Sequence, residues 1–230
     1  MSSADLVILA TPIRTFEEIF SRIADALPAG CIVTDVGSTK SLPARWAHKA
    51  LPKRVNYVGS HPIAGSEQRG LEYARDDLLY NEMCVLTVTE KTDKRAVRNL
   101  DEFWSALGCT VRRMAPREHD RIFANVSHLP HAMAASLTNA NVAEDLKYSG
   151  KGFIDTSRVA SGPANVWADI MVTNSANLTA AIGRAIRELE KLRSAVERKD
   201  AERITRFLDA ARLKRKKLIS LKMRKKELLS

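Results

Sequence analysis

Short unbroken apolar runs alternate with stretches of helical periodicity over the first half of the chain. Residues 6–10 form an apolar run without polar alternation, which is typical of a strand buried on both faces of a parallel sheet. The run stops at Pro12, and the apolar residues beyond it recur at helical spacing: Phe16, Ile19, Phe20, Ile23 and Leu27. Residues 31–36 repeat the strand pattern up to Gly37. The sequence therefore predicts successive units of strand, turn and helix.

A third strand is predicted from the apolar residues at 55–58, and glycine, histidine and proline together end it at residues 59–62. The first three predicted strands thus end at residues 11–12, 37–38 and 60–61. If they run parallel, their ends meet at one edge of the sheet, where open α/β sheets bind their ligands.

Two further strands are predicted at residues 83–89 and 109–114, with a helix between them. We expect this helix to begin at Asp93 and to end at Gly108. Its apolar residues share one face: Ala96, Leu100, Phe103, Trp104 and Leu107.

Strand patterns disappear after Ala115, and the remaining sequence predicts one helix after another. We therefore expect two domains, a partial dinucleotide-binding domain over residues 1–115 and a helical domain with a basic tail over residues 116–230. Long amphipathic helices are predicted after Leu178 and after Asp200. With little sheet to cover, such helices usually bury their apolar faces against each other or against a second subunit.

The positive charge is concentrated at the end of the chain. The net charge of the 230 residues is +10, and residues 212–230 carry nine Lys/Arg and one Glu. No helix-turn-helix, zinc-finger or aromatic-rich RNA-binding pattern accompanies this tail. We therefore interpret it as the solvated end of a long helix and expect no nucleic-acid partner.

Cysteine usage and apolar run lengths indicate a cytoplasmic protein without a membrane partner. No apolar run approaches the length of a membrane span, and the start of the sequence lacks the layout of a signal peptide. Cys31, Cys84 and Cys109 are odd in number and widely spaced, which favours buried reduced thiols. The pair His128 and His131 has no third ligand nearby, so we expect no metal site.

His61 is the first candidate for chemistry, because a histidine at a strand end stands where α/β sheets place their active sites. Its ordinary pKa near 6.5 suits proton transfer close to neutral pH. Taken alone, the same histidine is also compatible with a purely structural hydrogen bond in the turn.

Several motifs, in this order along the chain, resemble those of the prephenate dehydrogenase (prephenate/arogenate dehydrogenase) family of tyrosine biosynthesis. They cover most of the sequence: Leu6-Val-Ile-Leu-Ala-Thr-Pro12, Asp35-Val-Gly-Ser-Thr-Lys40, Gly59-Ser-His-Pro-Ile-Ala-Gly65-Ser-Glu67, Ser127-His-Leu-Pro-His131, Asp155-Thr-Ser-Arg158 and Trp167-Ala-Asp169-Ile.

The resemblance implies an α/β fold, an incomplete Rossmann-like parallel sheet, followed by an all-α domain that forms a homodimer. It also implies oxidative decarboxylation of prephenate to 4-hydroxyphenylpyruvate and CO2, with hydride transfer to NAD or NADP. Prephenate and arogenate both remain open as the substrate.

The resemblance further assigns roles to residues of this sequence. His61 matches the catalytic histidine, and Ser38 matches a serine that orients the reacting group beside the nicotinamide. The implied cofactor-binding residues are Thr11, Pro12, Gly37 and Ser38. The implied substrate-binding residues are Arg158, Ser127, His128, His131 and Ser66.

Arginine suits this substrate because a guanidinium binds a carboxylate with two hydrogen bonds, and the substrate carries two carboxylates. Without the resemblance, a structural salt bridge would be an equally good interpretation of Arg158. Arg14, just beyond the end of the first predicted strand, is a further candidate for an anion contact.

The sequence departs from the family pattern in one respect, because it contains no GxGxxG motif. We expect the leading nucleotide-binding half to be missing, the strand at residues 6–10 to form an exposed apolar edge, and the cofactor affinity to be severely reduced. The alternative function is therefore a non-catalytic dimeric module that binds an aromatic acid.

Overall fold

The computed structural model describes residues 3–64 and 73–227, with side chains described up to residue 221. The chain divides into two compact units, residues 1–179 and 180–230. Ser66, one of the expected substrate-binding residues, lies outside the described residues. The sequence-based boundary near Ala115 remains a prediction.

The first unit opens with the expected repeat of strand and helix. Strands β1 (Leu6–Leu9), β2 (Ile32–Asp35) and β3 (Asn56–Tyr57) pair in that order, and both pairings are parallel. Helices α1 (Phe16–Ile23) and α2 (Ser41–Ala50) connect them. Strand β2 is buried at every position, as its unbroken apolar pattern predicted.

The edge strand is confirmed for the described residues, since β1 pairs only with β2 there. Ile8 is 39% exposed on it, although it stands in an apolar run. A strand with one unpaired side leaves backbone donors and acceptors available, so this edge can pair with another chain.

The third strand is longer than β3 and changes partners along its length. After Val58 the chain continues into β4 (Gly59–Pro62), which pairs antiparallel with β5 (Met83–Thr87). Strand β5 then pairs parallel with β6 (Thr110–Met114). The parallel arrangement expected for the first three strands therefore holds, whereas β5 runs against the end of the third strand and places Val85 opposite His61.

Helix α3 (Lys94–Ala106) follows the predicted pattern closely. The Asp93 side chain accepts a hydrogen bond from the Ala96 amide at 2.7 Å, and Gly108 ends the turn with φ +86°. Leu107 was expected on the buried face but is 44% exposed, because the helix has already ended there.

Apolar side chains form two clusters in this unit. One lies around α1 and β2 and contains Phe16 and Phe20, both 0% exposed. The other contains Leu86, Leu100 and Trp104 and lies between α3 and the strands β5 and β6. Together they fix the strand ends from which the candidate site is built.

The chain is helical after β6. Five further helices of the first unit follow: α4 (Pro116–Phe123), α5 (Leu129–Asn139), α6 (Ala143–Leu146), α7 (Lys151–Ser157) and α8 (Ala164–Thr173). A π-helical turn, Ala124–His128, joins α4 to α5. Pro130 has no N–H to offer the carbonyl of Val126, which explains why the ordinary helical ladder widens at this point.

Helix α9 (Ser175–Glu197) crosses from the first unit into the second, and α10 (Ala201–Glu227) follows it. Asp200 caps α10 as expected, because its side chain accepts from the Arg203 amide at 3.0 Å. Large apolar side chains remain exposed on these two helices: Ile186, Leu189, Val196, Leu208, Leu213, Leu218, Ile219 and Leu221. Within the described part of the chain, no helix is both long and apolar enough to cross a membrane.

Candidate functional site

The ends of β1 and β2 open into a cavity of about 410 Å³. All four expected cofactor-binding residues line it, and two residues of α8 complete its wall: Thr11, Pro12, Gly37, Ser38, Val166 and Asp169. Such a volume falls within the range of small-molecule sites. The structure therefore brings together at one cavity the residues that the sequence assigned to the cofactor.

The turn after β2 is held by the buried carboxylate of Asp35. One of its oxygens accepts from the Gly37 amide at 2.8 Å, and the other accepts from the Tyr57 hydroxyl at 2.6 Å. A Cβ atom on Gly37 would lie 3.0 Å from the Asp35 oxygen and 3.1 Å from Phe16. A side chain at this position would therefore force Asp35 and Phe16 to move by a few tenths of an ångström.

Lys40 connects this turn to the strand that carries His61. Its fully buried ammonium group pairs with Asp35 and donates to the Ser60 carbonyl at 2.5 Å. Burial lowers the pKa of Lys40, while the charge of Asp35 opposes that shift. The Ser60 hydroxyl is also held, by the Thr34 hydroxyl at 2.7 Å and by the Trp104 indole N–H at 3.0 Å. The backbone just before His61 is thus fixed by three partners.

His61 lies in a chain of hydrogen-bonded side chains that reaches α4. Its Nδ1 is 2.8 Å from Nε2 of His119, and Nδ1 of His119 is 2.9 Å from a carboxylate oxygen of Asp120. His61 is 9% exposed, whereas His119 and Asp120 are 0% and 1% exposed. The ring of Phe123 packs against both histidines, with centroid distances of 4.9 Å to His61 and 4.4 Å to His119.

Burial sets the protonation state of this chain. It lowers the pKa of His61 well below 6.5, and the positive charges of Lys40 and of His119 and His128 when protonated lower it further. Burial also lowers the pKa of His119, against the opposing hydrogen bond to Asp120. For Asp120, burial acts to raise the pKa, but hydrogen bonds from His119, Ser41 and Lys40 outweigh it and lower the pKa. Both histidines are therefore neutral near pH 7, and Asp120 is ionised.

His128 is held by the amide group of Asn174, the residue that directly follows α8. The Asn174 side-chain N–H₂ lies 3.2 Å from Nδ1 of His128 and 2.7 Å from the Asp120 carbonyl. Because an amide N–H₂ only donates, Nδ1 accepts and Nε2 carries the proton. Burial lowers the pKa of His128 to about 4, with Asp120 opposing the shift. Nε2 is buried and has no hydrogen-bond partner among the described residues.

His131, one turn further along α5, stacks on the indole of Trp167 with centroids 3.5 Å apart and planes at 11°. Burial lowers the pKa of His131, and a hydrogen bond with the Val159 backbone opposes the shift. Its Nδ1 is the second buried nitrogen without a partner among the described residues. The sequence assigns Trp167 no role in the site, whereas in the structure its indole contacts the ring of a candidate ligand-binding histidine.

The remaining expected residues are less closely linked to His61. Ser127 is half-buried in the π turn, and Arg158 is an exposed residue that begins a short 3₁₀ turn, Arg158–Ser161, packed against α5. Arg14 was a candidate for an anion contact, but its guanidinium pairs with Asp169 at the wall of the cavity. Within the described residues, no group of three metal-binding side chains is assembled.

Sequence reasoning missed His119, Asp120 and Asn174. Their positions in predicted helices gave no signal, since a polar residue in a helix is usually solvated and nothing local marks these three as buried. His119 and Asp120 were recognisable only as a His-Asp pair that begins three residues beyond Pro116, at the start of a helix, and Asn174 had no comparable signal.

Comparisons with known proteins agree over nearly the whole chain. Residues 1–113 match the model of the prephenate dehydrogenase nucleotide-binding domain, and residues 115–210 match that of the prephenate dehydrogenase dimerization domain. Prephenate dehydrogenase from Bacillus subtilis (strain 168) is 34% identical over 92% of this chain and 59% of its own length. The chain thus spans about three fifths of that relative.

Cyclohexadienyl dehydrogenase from Zymomonas mobilis subsp. mobilis is 31% identical, over 86% of this chain and 70% of its own. Among solved structures, prephenate dehydrogenase from A. aeolicus in complex with hydroxyphenyl propionate and NAD+ superposes with a TM-score of 0.85 and 36% identity. That alignment covers 93% of this chain and 76% of the other. The two matched domains, these identities and the shared fold establish that the chain belongs to the prephenate dehydrogenase family.

Proposed function

We propose that this protein carries out the oxidative decarboxylation of prephenate to 4-hydroxyphenylpyruvate, with hydride transfer to NAD or NADP, as a step of tyrosine biosynthesis. The observation that carries the proposal is His61, a neutral buried histidine at the end of the third strand, whose Nδ1 is engaged by His119. Relatives named for this activity support the choice of reaction.

His61 acts on the ring hydroxyl of the substrate. As the hydride leaves the carbon that bears this hydroxyl, the carbon becomes carbonyl-like, and Nε2 of His61 takes up the hydroxyl proton. The electron pair of the C–CO2 bond then enters the ring, CO2 leaves, and the ring oxygen recovers the proton as a phenol. Since the ring becomes aromatic in this step, the driving force comes from the substrate, and the protein contributes mainly positioning.

We place the cofactor at the cavity where β1 and β2 end, because open α/β sheets bind their ligands beyond the ends of their parallel strands. Thr11, Pro12, Gly37 and Ser38 would hold its nicotinamide portion, which supplies the hydride acceptor when bound. Ser38 would orient the reacting hydroxyl beside it.

The substrate's carboxylates are bound by residues of the helical segment. His128 offers a buried Nε2–H with no protein acceptor among the described residues, which suits a carboxylate oxygen. Arg158 and Ser127 contribute further donors, and His131 stacks on Trp167 with its Nδ1 available to the substrate. Ser66 is included among the substrate-binding residues only because it belongs to the motif at residues 59–67.

We further infer that the protein is a cytoplasmic homodimer that associates through the helical domain. The match of residues 115–210 to a dimerization domain and the exposed apolar side chains of α9 and α10 support this assembly. The three buried free thiols are compatible with a reducing compartment. A sedimentation experiment that finds only monomers at micromolar concentration would contradict the dimer.

The test of the activity is formation of NADH or NADPH from prephenate or arogenate, followed by absorbance. His61→Gln is expected to lower kcat by at least about 100-fold, the usual contribution of a general base. His48→Gln is the matched control, since His48 is an exposed histidine of α2 and should leave kcat unchanged. If calorimetry shows that the protein binds the aromatic acid but no turnover is detected, the alternative function, a non-catalytic aromatic-acid-binding module, is the correct one.

A further inference from the structure

His119 contacts the Nδ1 side of His61 and Asp120 contacts His119 in turn, and no role follows for either residue from the motifs of the sequence. The two residues are adjacent on α4, yet they point to different partners. His119 reaches His61 on β4, while Asp120 reaches the first residues of α2. Both are buried, so solvent does not compete for these hydrogen bonds.

The hydrogen positions in this chain follow from what each group can donate. An ionised carboxylate only accepts, so Nδ1 of His119 must carry the proton in its 2.9 Å contact with Asp120. Neutral His119 then has its lone pair on Nε2. That atom lies 2.8 Å from Nδ1 of His61, so Nδ1 of His61 is the donor. Nε2 is thereby left as the basic nitrogen of His61.

Asp120 is itself held in a fixed orientation. One carboxylate oxygen accepts from the Lys40 amide and the other from the Ser41 amide, both at 2.8 Å. These amides belong to the first turn of α2, whose N-terminus favours negative charge. The carboxylate therefore stays ionised and cannot rotate away from His119 without losing two backbone hydrogen bonds.

We propose that His119 and Asp120 are positioning residues that lock His61 in its Nδ1–H tautomer and direct its lone pair at Nε2 toward the substrate. The same logic operates where a buried carboxylate orients a catalytic imidazole, here with a second imidazole interposed. The catalytic meaning of the proposal rests on the proposed function, whereas the tautomer is a property of the chain itself.

The surroundings of His61 also determine how readily Nε2 takes up a proton, because burial and the nearby ammonium group of Lys40 disfavour the charged ring. The ionisable groups around His61 are His119 on α4, Lys40 just before α2, His128 in the π turn and the Cys84 thiol on β5. Asp120 follows behind His119. Only Asp120 is negative among them, and it acts through His119. The proton arrives at Nε2 and leaves from Nε2, so neither His119 nor Asp120 has to gain or lose one.

The direct test is the ¹⁵N spectrum of the protein labelled at histidine, in which long-range couplings distinguish the two neutral tautomers. His61 signals are identified by their loss in His61→Gln. We expect the Nδ1–H tautomer for His61 in the unaltered protein and in His119→Gln, whose amide can accept from His61 and donate to Asp120. In His119→Leu the preference should disappear. An Nε2–H tautomer of His61 in the unaltered protein would overturn the proposal. This result does not depend on whether the His119 variants fold.

Turnover gives the second readout. His119→Leu is expected to lower kcat by about 10- to 100-fold with little change in KM, and His119→Gln should restore most of kcat. Equal losses in both variants would indicate a merely structural role and would overturn the proposal. If the unaltered protein shows no turnover, the proposed function fails, and the tautomer spectrum alone then decides the positioning role.

Discussion

Acidification should destabilise this protein well above the pH at which carboxylates titrate, and His128 permits a quantitative prediction. Its pKa is about 4 in the folded state and 6.5 when unperturbed. Between these values the unfolded chain binds a proton at this residue and the folded chain does not, so the free energy of unfolding falls as the pH falls. Well above pH 6.5 His128 is neutral in both states and does not contribute to the pH dependence of the free energy of unfolding.

The magnitude follows from the two pKa values. Each unit of pKa difference corresponds to about 1.4 kcal/mol, so His128 should remove about 2 kcal/mol of stability by pH 5 and about 3 kcal/mol near pH 4. The lowered pKa values of His61, His119 and His131 act in the same direction. The lowered pKa of Asp120 adds stability that is lost only at still lower pH.

The assay is urea unfolding monitored by tryptophan fluorescence between pH 7.5 and pH 5, for the unaltered protein and for His128→Asn. Asparagine can still accept from Asn174 but does not titrate, so the variant should lose about 2 kcal/mol less than the unaltered protein over this range. His48→Asn, at an exposed position, is the control. Identical pH dependence in His128→Asn and the unaltered protein would refute the reasoning.

Two further substitutions probe packing around the site. Lys40→Met should lower the free energy of unfolding by about 3–5 kcal/mol in urea titrations, because it leaves Asp35 buried without its cation; a loss below about 1 kcal/mol would contradict the buried pair. Gly162→Ala places a Cβ 2.3 Å from Nε1 of Trp167 and should alter the near-ultraviolet circular dichroism. Gly150→Ala meets no atom within 4 Å and should leave that spectrum unchanged.

Local sequence patterns predicted the elements of this fold well. The unbroken apolar runs gave β1 and β2, and the Asp93 cap and Gly108 end gave the limits of α3 to within a residue or two. These features depend on a few neighbouring residues, because backbone hydrogen bonding and side-chain periodicity are local properties. The direction of β5 was not readable in this way, since it depends on the path of the chain after β4.

For the candidate site, too, some residues could be identified from local sequence and others only from the structure. The sequence alone identified the strand ends, and with them Thr11, Pro12, Gly37 and Ser38, because parallel strands bring their ends to one edge of a sheet. The sequence also identified His61, because glycine and proline around this histidine indicate a turn at the end of a strand.

Only the tertiary structure decided what surrounds His61. His119 is 58 positions away in sequence, and Asn174 contacts His128 across 46 positions. Such contacts arise when separate helices pack on the sheet, and burial by that packing is what keeps the histidines neutral. Residue types and their spacing thus determined which groups are available for chemistry, while the packing of α2, α4 and α8 determined their partners, tautomers and charge.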